Sequence, residues 1–537
     1  MLAFFHDEKY KAHPHSTNAL TTPYPDNFWN TAFIYSLFLI PVGLLFGEVP
    51  TSIAEMVVVS LWLGTKNWQH KWKLLLHQPY FWILSALYII HLLGLIYTSD
   101  DAYALKDLRI KLPLLIFPVI LFSIDHLPSK IIVNLLKWTS IVTSINLLYL
   151  WFHAKWNGID TIDSRHISVF ISHIRLGLIA AFALISAIYM IINFSNSLTE
   201  KIFFILLSLI IFSLMLSVGL MTGIFTLSVV AIFAVFYMMI KSPHQVYFRI
   251  LTTITILVLL SLITYTYHIY QKYFPPPFPF VVYTHTFNGH PYTHQTDAPY
   301  TENGHYVLLN ISDKELKQEW EKRSQIPFDG KDKNGNELKY TLYRYLASKG
   351  LTKDSVGMAQ LQSKDIQNIE CGYPNYLYAD ANNLEKRIYQ LLQEYEYFKI
   401  NKQPQGKTLI MRLFYWKLAW TIWMKNFWIG VGTGDVLQAY QAEYIHYPNI
   451  PEKQQLRAHQ QILTFALTFG IPGLCVILLN IFYPLWHLRT SANYMLYFLF
   501  VIIAIISFFV DDTFETQPGV TFYAFLNTLL VKWCTME

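Results

Sequence analysis

R-L-F-Y-W-K-L-A-W (412–420), N-F-W-I-G-V-G-T-G-D (426–435) and H-Q-Q-I-L-T-F-A-L-T-F-G-I-P-G (459–473) are three pieces of one stretch, Arg412 to Gly473, from which the fold is read. Arg412 opens an amphipathic helix with Trp416 and Ala419 on one face. A turn holding Gly430, Gly432 and Gly434 closes it. His459 then stands at the mouth of a long apolar run. A cation and a histidine at the edge of such a run are unfavourable there without a use. The remainder of the chain reads as a membrane scaffold that presents these groups at one surface.

Composition supports that reading. Of 537 residues, 53% are hydrophobic and 14% charged, whereas a soluble domain carries roughly 25% charged residues. The expected fold class is therefore an all-α polytopic membrane protein. Lysines beside membrane spans account for the net charge of +5, and no basic tract with interleaved aromatics points to nucleic acid. Cys371, Cys475 and Cys534 lie far apart, which argues against a thiolate metal site or a disulfide framework. The start, M-L-A-F-F-H-D-E-K-Y-K-A-H, turns to charge after five residues and does not read as a cleavable signal peptide.

Apolar runs long enough to cross about 30 Å of hydrocarbon fall near 28–46, 50–64, 79–97, 110–124, 130–152, 168–193, 201–218, 220–240, 248–267, 461–486, 493–510 and 518–534. That predicts about twelve transmembrane helices, with Pro113 and Pro118 kinking the fourth. One set of alternate loops holds Lys66, Lys71, Lys73, Lys130, Lys201, Lys241, Arg249 and Arg489, with Lys9, Lys11 and Lys532 on the same side. The other set holds Lys106, Arg109, Lys155 and Arg165. The excess places both termini in the cytoplasm. The expected organisation is then a membrane bundle over 1–267, an extracytoplasmic loop domain over 268–460, and closing spans over 461–537. The loop leaves the membrane through Y-F-P-P-P-F-P-F and turns helical from about Asp313. Helices are predicted at E-L-K-Q-E-W-E-K-R, at T-L-Y-R-Y-L-A-S-K-G with a glycine stop, and over Leu384 to Phe398.

Four features converge on the outer face in this topology. They are I-S-H-I-R-L-G with His173 and Arg175, the Arg412 helix with Trp416, His459 with Gln460, and D-D-T-F-E-T-Q-P-G with Asp511, Asp512 and Glu515. Each has a plainer reading: an arginine that snorkels to headgroups, a surface arginine, an interfacial histidine, a solvated loop. Together they suit transfer from an anionic lipid. Two guanidinium forks can each bind phosphate oxygens in a bidentate way without losing charge. A neutral histidine can accept the proton of an attacking hydroxyl. Gly432 and Gly434 would let backbone N–H groups approach an anion. G-V-G-T-G does not follow a strand, so a nucleotide site is rejected. Histidines 285, 290, 294 and 305 lack tight metal-ligand spacing, and no G-x-S-x-G elbow occurs.

With these residues in hand, the chain resembles the O-antigen ligase and O-antigen polymerase superfamily over most of its length. The histidine, polar residue, apolar run and glycine of H-Q-Q-I-L-T-F-A-L-T-F-G-I-P-G carry the likeness. So do R-x-x-x-W-x-x-A before G-V-G-T-G-D, K-L-P-L-L-I-F-P, I-S-H-I-R-L-G and E-T-Q-P-G-V-T-F-Y-A-F. The loop segments E-N-G-H-Y, T-L-Y-R-Y-L-A-S-K-G-L-T-K-D and D-I-Q-N-I-E-C-G look like a ligase-type branch. The resemblance implies a glycosyltransferase of the bacterial inner membrane, active toward the periplasm. Arg175 and Arg412 would hold the diphosphate of an undecaprenyl-diphosphate-linked glycan, and His459 would activate a hydroxyl of lipid A–core. His173, Trp416, Gln460, Glu515 and the two glycines would contact substrate. Transfer would invert the anomeric centre, with no cofactor, metal or nucleotide sugar. Many members carry S-R-x-G where this chain has S-V-G-L-M-T-G, with Met221 in place of an arginine. An O-antigen polymerase or a protein O-oligosaccharyltransferase would share the donor. A transporter or flippase would suit twelve helices, but there is no internal repeat, and the ionisable residues gather at one face instead of the midplane.

Overall fold

The computed structural model describes residues 28–125, 127–157, 167–195, 197–241, 245–279, 281–295, 300–401 and 408–536. Lys9, Lys11 and Arg165 of the orientation argument lie outside them. The described residues are mostly α-helical, and the chain divides into two compact units, 1–248 with 415–537, and 249–414.

In the first unit, seven helices among the described residues are long and apolar enough to cross a membrane. They are Phe28–Phe46, Pro79–Tyr97, Ser129–Trp156, His173–Asn193, Leu198–Ser217, Met221–Met238 and Gln461–His487. The other predicted spans coincide with Glu48–Leu63 (16 residues), Pro113–Phe122 (10), part of Gln245–Tyr273, Tyr494–Val510 (17) and Gln517–Thr535 (19). Burial sorts the helices. His173–Asn193 is 83% buried over its most apolar window and Met221–Met238 only 17%. A helix apolar all round can serve at the centre of a bundle or against lipid; packing alone decides which.

Two features of this unit follow from local chemistry. Pro113 has no N–H and starts a new helix, so Asp101–Lys111 ends two residues before it, with Leu112 between them. Lys111 thereby sits in a last helical turn, where the macrodipole favours a cation, four residues after Asp107. The second feature is the kink in Gln461–His487, where Gly470 adopts φ 62° and ψ −145°. Pro472 has no N–H to give Thr468 O, and Ile471 N donates to Phe427 O at 3.2 Å instead of to Leu467 O. The two carbonyls thus freed accept from Gly432 N and Val431 N, both at 2.9 Å. At Gly470 a β-carbon would lie 2.3 Å from Trp428 O, so only glycine fits. G-I-P-G and G-V-G-T-G are therefore one clasp made of backbone.

The second unit has its own core of Trp320, Leu338, Leu342, Leu346, Ile366 and Ile369. Its helices include Asp313–Glu321, Leu338–Ser348 and Asn383–Asn401, at the predicted places. Gly350 follows the second at φ 70°. E-N-G-H-Y folds as a hairpin, Thr301–Glu302 against His305–Tyr306, with Asn303 and Gly304 both at positive φ.

Candidate functional site

Helix Tyr494–Val510 ends at a six-residue loop, Asp511 to Thr516, before Gln517–Thr535 begins. The loop brings together charged groups from several elements of the first unit. Asp512 is its anchor: its carboxylate accepts from His459 N (2.9 Å), Gln460 N (3.1 Å) and Thr464 Oγ1 (2.7 Å). These bonds hold His459 at φ 49°, an uncommon conformation for a side chain with a β-carbon. Gln460 accepts from Leu463 N as the N-cap of Gln461–His487, which is why a polar residue must follow the histidine. Gln461 Oε1 accepts from Phe514 N at 2.7 Å.

Beside this anchor Asp511 faces two cation-forming groups. Arg175 Nη2 lies 3.2 Å from one carboxylate oxygen and His459 Nδ1 lies 3.5 Å from the other. Arg175 sits in the first turn of His173–Asn193, where the macrodipole disfavours a positive charge; Asp511 offsets that. Its Nε is buried with no hydrogen-bond partner among the described residues. Gly519 leaves it room, since a β-carbon there would lie 3.1 Å from that nitrogen. His173 is the first residue of the same helix.

Glu515 joins a second group. It accepts from Lys111 Nζ at 3.1 Å and pairs closely with Arg457, while Lys111 also pairs closely with Asp107. The Arg457 guanidinium lies 5.4 Å from the Tyr103 ring. The cavity that these side chains share with His91, Thr433 and Gln461 measures about 10 Å³, so the group is packed shut. Sequence reasoning singled out Glu515 but not Lys111, Asp107 or Arg457. The D-x-x-x-K spacing before Pro113, and an arginine two residues ahead of His459, were the available signals.

The three carboxylates of the loop are shifted in different directions. Burial alone would push Asp511 up, but His459 and Arg175 outweigh it and hold it below the ordinary range. Burial also opposes ionisation of Glu515, yet Arg457 and Lys111 bring it down to about 2. Asp512 moves the other way, raised by burial and by the charge of Glu515. Asp511 and Glu515 are thus shifted toward ionisation and Asp512 away from it.

The glycine turn packs against residues 94–100. Gly434 N donates to Thr98 Oγ1 at 2.7 Å, and Asp435 accepts from Ser99 N (2.9 Å) and Asp100 N (3.0 Å). With Gly432 N on Thr468 O, the N–H groups of both named glycines are engaged. Trp416 is half-buried on Thr408–Lys425, its indole N–H buried without a hydrogen-bond partner among the described residues. One residue earlier, Tyr415 packs its ring 6.1 Å from that of His459 and donates to Gln454 O at 2.6 Å. Arg412, half-buried on the same helix, belongs to the second unit.

Within the first unit, then, the structure brings together Arg175, His459, Gln460 and Glu515. Among the described residues no three His, Cys, Asp or Glu side chains are grouped to hold a metal ion; His290 pairs with Glu315 at 2.9 Å. What the first-unit cluster can do is bind an anion at Arg175 and take a proton at a histidine held against a carboxylate.

No curated protein matches this chain. Residues 377–478, which include Arg412, Arg457, His459 and Gln460 but neither Arg175 nor Glu515, match the family model described as O-antigen ligase, and that match supports the O-antigen ligase superfamily for this chain.

Proposed function

We propose that the chain is a glycosyltransferase that moves a glycan from an undecaprenyl-diphosphate carrier onto a hydroxyl of lipid A–core. The observation that carries this reading is the His459–Asp511–Arg175 arrangement, with His459 inside the matched segment. Arg175 binds the donor diphosphate, and Arg412 of the second unit is proposed separately as a donor ligand; a guanidinium fork matches phosphate oxygens and stays charged at any working pH. His459 accepts the proton of the acceptor hydroxyl while Asp511 orients the ring and balances the imidazolium. The hydroxyl oxygen attacks the anomeric carbon, the bond from that carbon to the diphosphate oxygen breaks, and undecaprenyl diphosphate leaves with its charge on Arg175. Attack opposite the leaving group inverts the anomeric centre. Neither metal nor cofactor enters this scheme. The enzyme is multi-pass in the bacterial inner membrane, with cytoplasmic termini and the site toward the periplasm.

The test is reconstitution of the purified protein with undecaprenyl-diphosphate-linked glycan and lipid A–core, with product read by mass spectrometry. A new glycosidic bond on core, lost with His459→Ala, is the expected result. Elongation of another lipid-linked glycan would point to a polymerase, and transfer to a Ser or Thr hydroxyl to protein glycosylation. Passage of the lipid-linked glycan across the bilayer with no new bond would make the chain a transporter and overturn the proposal.

A further inference from the structure

The second unit contains a cleft of about 530 Å³ between the turn at Asn334–Glu337, the helix Leu338–Ser348, and Asn383–Asn401. That volume falls within the range of pockets that enclose small ligands, roughly 300–1,000 Å³. Its lining is unusual in kind. Tyr340, Tyr373, Tyr378 and Tyr389 contribute rings; Tyr378 packs 5.8 Å from Tyr373 and 5.0 Å from Tyr389. The amides of Asn334, Asn336, Gln390 and Gln393 stand between the rings.

One wall is rigid. Glu302, 2% exposed, accepts from Tyr300, Tyr389 and Asn375 at 2.9 to 3.1 Å. Arg344 closes the network with contacts of 2.5 and 2.7 Å to the same carboxylate. Gln393 Nε2 donates to Tyr300 OH (2.8 Å) and Gln390 Nε2 to Tyr378 OH (2.9 Å), so the amides are fixed in orientation. The one guanidinium in the lining is thereby neutralised, and the other charged lining residue, Glu337, lies 3.9 Å from Lys339. Lys386 lies over the Tyr373 and Tyr378 rings, 5.0 and 5.6 Å from their centroids, and the polar groups that line the cleft are mainly phenols and amides.

Aromatic faces suit the C–H face of a pyranose. Amides and phenols can donate and accept at once, as ring hydroxyls do. We propose that this cleft binds uncharged sugar residues of a glycan. That the glycan is the one being transferred rests on the proposed function; binding itself does not.

The test uses the full chain in detergent on a printed array of neutral and acidic bacterial oligosaccharides, with synthetic peptides as a comparison set. The wild type is expected to retain neutral oligosaccharides. Tyr340→Ala and Tyr373→Ala should each weaken retention at least tenfold with an unchanged melting temperature, while Tyr283→Ala, at an exposed tyrosine elsewhere in the unit, should leave it intact. Tyr340 is itself half-exposed, so its variant tests binding without burdening the fold. No retention of neutral sugars, retention equal in both cleft variants and wild type, or preference for acidic glycans or peptides overturns the inference. The array reads binding alone. Retention without transfer would therefore defeat the proposed function and leave the cleft, and transfer without retention the reverse.

Discussion

Asp511→Asn removes one charge and almost no volume from the loop that faces His459. The carboxylate oxygen lies 3.5 Å from His459 Nδ1. A unit charge pair at that separation interacts by about 5 kcal/mol at an effective dielectric near 20, and by about 1 kcal/mol in water. His459 is 34% exposed, so the lower half of that range applies. With about 1.4 kcal/mol per factor of ten, the imidazolium that forms as the acceptor hydroxyl gives up its proton loses about 10–100-fold of rate support. The assay is single-turnover transfer from lipid-linked glycan to core at saturating donor, so that kcat is read apart from KM. The second anionic contact of Asp511, to Arg175, should surface in the KM for donor. In a His459→Ala background, Asp511→Asn should then lower kcat no further, because residues acting as one unit are not additive. A kcat within twofold of wild type, or a full additional loss in the His459→Ala background, would show that Asp511 does not act through the histidine.

Gly470→Ala forces a β-carbon to 2.3 Å from Trp428 O at φ 62°. Backbone strain of this kind costs about 1–3 kcal/mol before the clash is counted, so the melting temperature in detergent should fall; no change would mean that the clasp does not need glycine. Glu515→Gln leaves Lys111 and Arg457 facing each other without their shared carboxylate, and breaking a buried pair costs about 3–5 kcal/mol. A melting temperature equal to wild type would sink that reading. Arg412→Lys keeps the charge but loses the planar fork, and should raise the KM for donor; full activity would exclude bidentate binding there. In the second unit burial would push Glu315 up, but hydrogen bonds from Ser355, Thr286 and His290 hold it at about 2. A depressed carboxylate stabilises fully above its ordinary value near 4.5 and loses that contribution as pH falls toward 2. The protection factor of the Ser355 amide, which donates to Glu315 at 3.0 Å, should fall across that window once intrinsic exchange rates are divided out, and equal protection at pH 5 and pH 3 would refute it.

Most of the membrane scaffold is legible in composition, because a long apolar run with few charges has few other uses. The count of spans is less so. The run predicted over 110–124 is a helix of only ten residues, Pro113–Phe122, because Pro113 starts it afresh after Asp101–Lys111, and Gln517–Thr535 is long enough but mixes Thr, Asn and Lys into its apolar residues. At the site, His459, Gln460, Arg175 and Glu515 stand out because polar residues at span ends are conspicuous. Lys111 does not, since beside Lys106 and Arg109 it looks like one more loop charge; only the fold shows it 2% exposed between Asp107 and Glu515. Glycine spacing likewise reports freedom of the backbone without saying what the backbone meets. The partner of Gly432 N is a carbonyl 36 residues on, released by a proline that local pattern reading treats as a kink.

The charge pattern bears on how an anionic donor could enter. Around His459 the loop and its partners set three cations, Lys111, Arg175 and Arg457, against four carboxylates, Asp107, Asp511, Asp512 and Glu515. Lys111 and Arg457 are closed around Glu515, leaving a cavity of about 10 Å³, and no phosphate fits there. Arg175 differs: one nitrogen is on Asp511 and another is buried without a hydrogen-bond partner among the described residues. A donor diphosphate arriving at Arg175 therefore exchanges one anionic partner for another and can engage the unused nitrogen as well. The guanidinium is never left bare, so the desolvation penalty of a lone buried charge is avoided. Asp511, relieved of the arginine, remains beside His459 Nδ1, and the positive charge it loses on one side is replaced by the proton the histidine takes on the other. In the proposed mechanism, donor binding and acceptor activation would be coupled through Asp511, so the same aspartate is expected to influence both KM for donor and kcat.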